Sequence, residues 1–91
     1  MRVPIVVPYL GHREEQLRIS GWYVYEGDLI VAGDLVVEVL IPGITMDIAA
    51  ESSGRLVEVV KAFDSIIHEG DILGWLEDSS ADAGELSTGG D

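Results

Sequence analysis

The chain has 91 residues, no cysteine, and 17 acidic against five basic side chains, which gives a formal net charge of −12. This length fits one small domain, and the lack of cysteine excludes disulfides, a thiol nucleophile and a cysteine-ligated zinc site. The negative charge disfavours nucleic acid and anionic membrane surfaces as partners and favours a protein partner with a neutral or basic surface.

The first ten residues contain a short apolar run that Pro4 and Pro8 interrupt, unlike the apolar core of a secretory signal. Acidic residues such as Glu38 and Asp47 interrupt each later apolar stretch before it reaches the ~20 residues needed to span a bilayer. We therefore expect a soluble protein located in the cytoplasm.

Runs rich in valine, isoleucine and leucine alternate with glycine-aspartate turns, a pattern typical of an all-β domain. The pattern predicts strands at residues 3–7, 19–25, 35–41, 45–49, 55–60 and 72–77. Only residues 12–18 have the composition of a helical turn, and that segment is too short to be a stable helix alone.

Residues 20–35 and 53–72 are similar, since both begin with Ser-Gly and end with aspartate followed by leucine or isoleucine. In this alignment Gly27-Asp28 corresponds to Phe63-Asp64. The repeat predicts two halves related by a pseudo-two-fold axis.

From Asp78 onward the residues are mostly small, polar or acidic. We therefore expect a folded domain at residues 1–77 and a disordered acidic Gly/Ser tail or linker at 78–91.

Residues 36–48 predict two strands around a tight turn at Pro42-Gly43, because proline followed by glycine is the usual composition of a type II turn. The tip has no reactive side chain. Ile41, Pro42, Gly43 and Ile44 form an apolar segment that is a candidate interaction site. The two isoleucines could equally pack against neighbouring loops.

The order of several motifs over residues 3–77 resembles that of lipoyl and biotinyl carrier domains, in particular the lipoyl domains of 2-oxo acid dehydrogenase acyltransferases. The motifs are Pro8-Tyr9-Leu10-Gly11, Ile19-Ser20-Gly21-Trp22, Glu26-Gly27-Asp28, Gly33-Asp34-Leu35, Thr45-Met46-Asp47-Ile48 and Gly54. The resemblance implies a flattened β-barrel, or sandwich, of two four-stranded sheets with both termini at one end and the hairpin at the other.

In that family the turn bears a lysine that carries lipoate or biotin. Here Gly43 stands at the lysine position, Leu40 and Pro42 replace acidic residues, and the chain's only lysine, Lys61, falls in the other half. The resemblance thus implies a noncatalytic domain without a cofactor, which binds a protein or has a structural role. Such a domain would be a monomer or one part of a larger assembly.

Two alternatives remain open from the sequence. One is a carrier domain of an acyl-transfer or carboxylase system that is attached or completed in an unorthodox way, for example through Lys61 or the N-terminal amine. The other is the lipoyl-like piece of a membrane-fusion adaptor. A long helical insertion usually splits the two half-motifs of such adaptors, and the continuous hairpin here argues against that layout.

No catalytic or metal site is predicted. His12 and His68 have acidic neighbours but lack the short ligand spacing of zinc sites. The aromatic residues are predicted to lie in the core or at its edge rather than to form a base-stacking platform. These are Trp22, Tyr23, Tyr25, Phe63 and Trp75.

Overall fold

The structure is a computed structural model that describes residues 1–11 and 16–78. Its strands are β1 (Arg2–Val6), β2 (Leu17–Trp22), β3 (Leu29–Ile30), β4 (Leu35–Ile41), β5 (Ile44–Ala49), β6 (Gly54–Val59), β7 (Ile66–Ile67) and β8 (Ile72–Asp78). They form two antiparallel four-stranded sheets. The terminal sheet has the order β1-β8-β6-β3, and the hairpin sheet has the order β5-β4-β2-β7. The predicted all-β architecture of two four-stranded sheets is confirmed.

The six predicted strands correspond to the six longer strands, and the bounds of β4 are those predicted. The second predicted strand extended too far, to residue 25. Strand pairing ends at Trp22 because a turn follows, in which the Tyr25 N–H donates to Asp28 Oδ2 at 2.8 Å and the Asp28 N–H to the Tyr25 carbonyl at 3.0 Å. The segment 12–18, judged too short for a stable helix, reaches into β2 at Leu17 and Arg18. Its residues 12–15 lie outside the described part of the chain.

The two sheets are related by a pseudo-two-fold axis, because β1, β8, β6 and β3 have the same order as β5, β4, β2 and β7. Equivalent hydrogen bonds fix the correspondence. The Gly27 N–H donates to the Leu56 carbonyl at 2.7 Å, and the Asp64 N–H donates to the Ile19 carbonyl at 2.8 Å. Gly27 is therefore equivalent to Asp64, 37 residues later, and not to Phe63 as the sequence alignment predicted.

The core lies between the sheets and consists of aliphatic side chains, each of which contributes roughly 1.5–3 kcal/mol on full burial. Fully buried members include Leu17, Ile19, Val36, Val37, Val39, Ile41, Leu56, Ile67, Leu73 and Leu76. Trp22 packs against this core, and its Nε1–H donates to the Lys61 carbonyl at 2.8 Å.

The prediction that all five aromatic residues lie in or beside the core is confirmed for Trp22 and is wrong for three of the others. The fifth, Trp75, is half-buried on β8 and is not among the described side chains that pack against the core cluster. Tyr23 is 50% exposed, Tyr25 79% and Phe63 72%. All three lie in the connections after β2 and β6 rather than in strands. The alternation of inward and outward side chains does not extend into these connections, so a large ring there need not face the core.

The hairpin tip lies at the opposite end of the barrel from Met1 and the end of β8. Arg18 pairs with Leu40 near the tip, Leu17 pairs with Ile67, and β8 starts five residues after Ile67 and runs away from that end. At the far end the Asp78 N–H donates to the Met1 carbonyl at 2.8 Å. The expected boundary at residue 77 falls one residue before the end of β8, and residues 79–91 of the expected tail lie outside the described part.

Candidate functional site

The predicted hairpin is formed by β4 and β5, which pair from Leu35 with Ala49 to Ile41 with Ile44. Only Pro42 and Gly43 lie between the paired isoleucines. Gly43 has a φ of 88°, the left-handed value that the third position of a type II turn requires and that glycine adopts without strain. A Cβ at Gly43 would meet no atom within 4 Å, so the tip opens into solvent.

The structure separates the four residues of the predicted interaction segment. Pro42, Gly43 and Ile44 are exposed, Ile44 by 58%, whereas Ile41 is only 2% exposed and belongs to the core. Ile41 is therefore unavailable as a contact residue, because it continues the inward-facing row of Val37 and Val39. We refer to the three exposed residues as the tip patch.

The tip patch offers backbone groups and apolar side chains but no amine. Lys61 follows the end of β6, and its backbone is fixed by two contacts. Its N–H donates to the Leu73 carbonyl at 3.1 Å, and its carbonyl accepts the Trp22 Nε1–H. By the pseudo-symmetry Lys61 is equivalent to Val24, so it does not occupy a second copy of the tip.

A polar cluster that the sequence reasoning missed lies on the outer face of the hairpin sheet. Glu38 and Asp47 are directly opposite on β4 and β5. The Tyr23 hydroxyl lies 2.6 Å from Asp47 Oδ1 and 3.2 Å from Glu38 Oε2, and the Ser20 hydroxyl donates to Glu38 Oε1 at 2.7 Å. Glu38 and Asp47 are each four residues from the turn, and this equal spacing was a readable signal for their pairing.

The hydrogen bond to Asp47 raises the pKa of Tyr23 above its ordinary value, and burial and the negative charge of Asp47 and Glu38 act in the same direction. The phenol thus keeps its proton and bridges two carboxylates that would otherwise repel each other across the strands. The cluster lies on an open sheet surface, so its exposed carboxylate oxygens can accept hydrogen bonds from a cation on another molecule.

Of the two histidines, only His68 lies in the described part of the chain, and there it has one acidic partner. His68 Nδ1 lies 3.5 Å from Asp71 Oδ2, and the Asp71 carboxylate also accepts the His68 backbone N–H at 2.9 Å. His12 lies outside the described residues. Within residues 1–11 and 16–78, no group of three or more His, Cys, Asp or Glu side chains is placed to hold a metal ion. The same residues contain no helix long and apolar enough to cross a membrane.

Comparison with known proteins gives matches over most of the chain. A family model described as "Biotin-requiring enzyme" matches residues 3–76. The dihydrolipoyllysine-residue succinyltransferase component of the 2-oxoglutarate dehydrogenase complex of Rickettsia bellii is 28% identical over 81 residues, which are 89% of this chain and 20% of that protein. The Bacillus subtilis component of the same name is 27% identical over 79 residues, 87% of this chain and 19% of that protein.

This chain therefore spans about a fifth of the length of the curated relatives it matches. Among solved structures, the lipoyl domain of the 2-oxoglutarate dehydrogenase complex from Azotobacter vinelandii superposes with a TM-score of 0.62 at 19% identity. The match covers 86% of this chain and 96% of that domain. At this identity the likeness shows a common fold.

Proposed function

The chain belongs to the biotin/lipoyl family, whose model is described as "Biotin-requiring enzyme", and from this premise we propose that it is a lipoyl-like domain without the attachment lysine. In this proposal it is noncatalytic, carries no lipoate or biotin, and acts as a protein-interaction or structural module. The observation that carries the proposal is the turn Pro42-Gly43, which presents no amine at the tip of the β4–β5 hairpin.

A carrier domain needs a nucleophilic side chain that can form a bond to its cofactor, and neither turn residue provides one. Glycine at position 43 has the backbone conformation that the turn requires, and the strands pair up to Ile41 and Ile44. The hairpin is thus intact, and it differs from that of a carrier domain in having no amine at its turn. This supports a scaffold that is retained for its shape and surface.

The proposed partner is a protein with a neutral or basic surface, because the chain has a net charge of −12. Since the matching relatives are about five times longer and are named as components of a dehydrogenase complex, we propose that this domain works within a larger assembly. The tip patch of Pro42, Gly43 and Ile44 is one exposed surface through which such contact can occur.

The name "dihydrolipoyllysine-residue succinyltransferase" of the relatives favours one second candidate, a carrier domain in an acyl-transfer system. In this chain such a function would need Lys61, the N-terminal amine or a lysine on another domain. The backbone of Lys61 is fixed by contacts to Trp22 and Leu73, away from a protruding turn, which makes this the less favoured candidate.

The test is the intact mass of the wild-type protein after co-expression with lipoate and biotin ligases in cells supplied with both cofactors. An authentic lipoyl domain, expressed in the same cells, is the positive control. We expect the unmodified mass for this chain while the control is modified. An added lipoyl or biotinyl group would overturn the proposal, and peptide mapping would then identify Lys61 or the N-terminus as the attachment point.

A further inference from the structure

The four sheet edges of this barrel differ in how well they are protected against pairing with another strand. β3 and β7 have only two residues each. β1 has Pro4 at its centre, and proline lacks the N–H that an added strand would need. β5 has six residues and no proline. It is therefore the edge best able to accept a further strand.

The backbone of β5 presents unpaired groups in the outward direction. In a two-residue hairpin the closing pair, Ile41 and Ile44, is hydrogen-bonded, and hydrogen-bonded pairs then alternate with non-bonded ones. Thr45 and Asp47 are non-bonded positions, so their N–H and C=O groups point away from β4. Ala49 follows the same alternation, since Ala50 donates to the Asp34 carbonyl at 2.9 Å.

A groove runs beside this edge, between β5 and the edge strand β1 of the other sheet. Its apolar lining includes Val3, Ile5 and Ile48, and Asp47 and Glu51 also line it. The two edge strands do not pair with each other. Side chains that alternate along an added strand would thus have an apolar groove on one side and the outer face of the hairpin sheet on the other.

Charge determines which kind of strand fits this edge. Asp47 lies opposite Glu38 on the outer face, and neither carboxylate forms an ion pair within the described residues. A residue of an added strand that faces Asp47 would lie within about 5.5 Å of it, where a lysine or arginine is attracted and an acidic residue repelled. The same repulsion disfavours pairing of β5 with β5 of a second copy.

We propose that β5 is a docking edge for an extended segment of a partner protein in which apolar and basic residues alternate. The segment forms backbone hydrogen bonds with Thr45, Asp47 and Ala49, places its apolar side chains in the groove, and places a lysine or arginine against Asp47 and Glu38. This inference rests on the proposed function, because it identifies the kind of partner that a domain without a cofactor would bind.

The test uses a capped, fluorescein-labelled heptapeptide that alternates valine with lysine or arginine, titrated with the full chain at low salt. We expect saturable binding that weakens as salt is added. A peptide with glutamate at the basic positions should bind at least about tenfold more weakly. A basic peptide that is N-methylated at the residues whose N–H groups face β5, and so cannot donate to β5, should lose affinity to a similar extent. Equal binding of the N-methylated peptide would overturn strand pairing.

Backbone amide shifts of the isotope-labelled protein locate the peptide. The proposal expects shifts concentrated at Thr45, Asp47 and Ala49, and shifts confined to the tip patch or to the terminal sheet would overturn it.

Thr45→Pro removes one outward N–H and should weaken binding, whereas the matched variant Thr45→Ala keeps that N–H and should bind as the wild type does. If Thr45→Pro does not fold, the N-methylated peptide still decides.

Two further outcomes separate this inference from the proposed function. An unmodified protein that binds none of the peptides would overturn the docking edge and leave the proposed function standing. A protein whose intact mass shows lipoate or biotin would overturn the proposed function, whatever the peptides do.

A dimer in sedimentation that Thr45→Pro dissociates would overturn the assignment of a foreign segment, because it would identify a second copy as the occupant.

Discussion

Gly27 and Asp64 occupy equivalent positions in the two halves of the barrel, and both have a positive φ, 101° and 71°. Each uses its backbone N–H to bond a strand of the opposite sheet, Gly27 to the Leu56 carbonyl and Asp64 to the Ile19 carbonyl. Aspartate tolerates the left-handed region better than most residues with a side chain. The same turn is therefore built once with glycine and once with aspartate.

Gly27→Ala is expected to lower the free energy of unfolding by about 1–2 kcal/mol, because alanine is disfavoured at this positive φ. A Cβ at this position would meet no atom within 4 Å, so the loss is conformational and not steric. The matched control is Gly21→Ala, which has equal free space without a positive φ and should leave stability unchanged or slightly higher. Urea unfolding measures both, and equal losses would contradict this account.

Gly54→Ala is expected to be more damaging, by about 3 kcal/mol, for a steric reason. A Cβ on Gly54 would overlap the Glu77 carbonyl oxygen and lie 3.0 Å from its carbon, and this neighbour is backbone of the paired strand β8. Strand β6 or β8 must move to admit the methyl group. Thermal unfolding against Gly21→Ala measures the difference, and a Gly54→Ala protein as stable as the wild type would refute the close contact.

The sequence predicted the long strands of this fold because each follows an apolar pattern and ends at a recognisable turn. Asp34 and Asp71 show why those turns are readable. Each carboxylate accepts the N–H three residues earlier, from Val31 and His68, at 2.9 Å. The two-residue strands β3 and β7 were not predicted, since two residues are too few to show a period. Their pairing depends on contacts with distant strands.

The repeat was recognised, but its register was wrong at one end. Identical Ser-Gly pairs at residues 20 and 53 suggested the alignment, whereas the hydrogen bonds make Ile19 equivalent to Leu56. The identical Ser-Gly pairs therefore misled the alignment. The correct match joins two different residues, Ile19 and Leu56, whose similarity is that both are buried and aliphatic.

The hairpin tip was predicted from proline and glycine alone, and the inward orientation of Ile41 was available from the alternation of Val37 and Val39. The polar cluster around Tyr23 was harder to predict. Tyr23 follows the last residue of β2, and its N–H donates to the Val36 carbonyl of β4 at 2.9 Å. Its approach to Asp47 therefore depends on the point where the chain leaves the sheet, which is not part of the regular strand pattern. Such contacts between irregular segments and a sheet leave no periodic signal in a sequence.

The bond between Tyr23 and Asp47 predicts a specific pH dependence. Because the pKa of Tyr23 is raised in the folded protein, the contribution of this bond to stability is complete below about pH 10, the ordinary pKa of tyrosine. It is lost as the pH rises through the raised pKa. Tyr23→Phe should therefore be less stable than the wild type below pH 10, and the difference should shrink above it. Urea unfolding at several alkaline pH values measures the difference.

Asp47→Asn is expected to lower the pKa of Tyr23 towards its ordinary value, because it removes both the charged acceptor and the negative charge beside the phenol. Glu51→Gln changes the net charge equally and is the matched control, since Glu51 takes no part in the cluster. Ultraviolet absorbance of tyrosinate during alkaline titration reports the ionisation. An identical titration of the two variants would show that Asp47 does not raise the pKa of Tyr23.

Placing a lysine and two acidic residues at the hairpin tip is expected to create a site for lipoate attachment. The triple variant Leu40→Glu, Pro42→Asp, Gly43→Lys is expected to accept lipoate from a ligase that modifies an authentic lipoyl domain. The tip has room for the new side chain, since a Cβ at Gly43 meets no atom within 4 Å. The positive φ of 88° there costs a lysine about 1–2 kcal/mol, which is small beside the ~5 kcal/mol or more that typically stabilises a folded domain.

Intact mass after co-expression with the ligase measures the gain, and the matched control combines Gly43→Ala with the same Leu40→Glu and Pro42→Asp substitutions. The control removes the proline and adds the same two acidic groups, so it lacks only the lysine side chain with its amine. A triple variant that gains the lipoyl mass while the control stays unmodified would place Gly43 at the attachment position. A folded triple variant that remains unmodified would contradict that alignment, because the shape of the hairpin would then not suffice for recognition by the ligase.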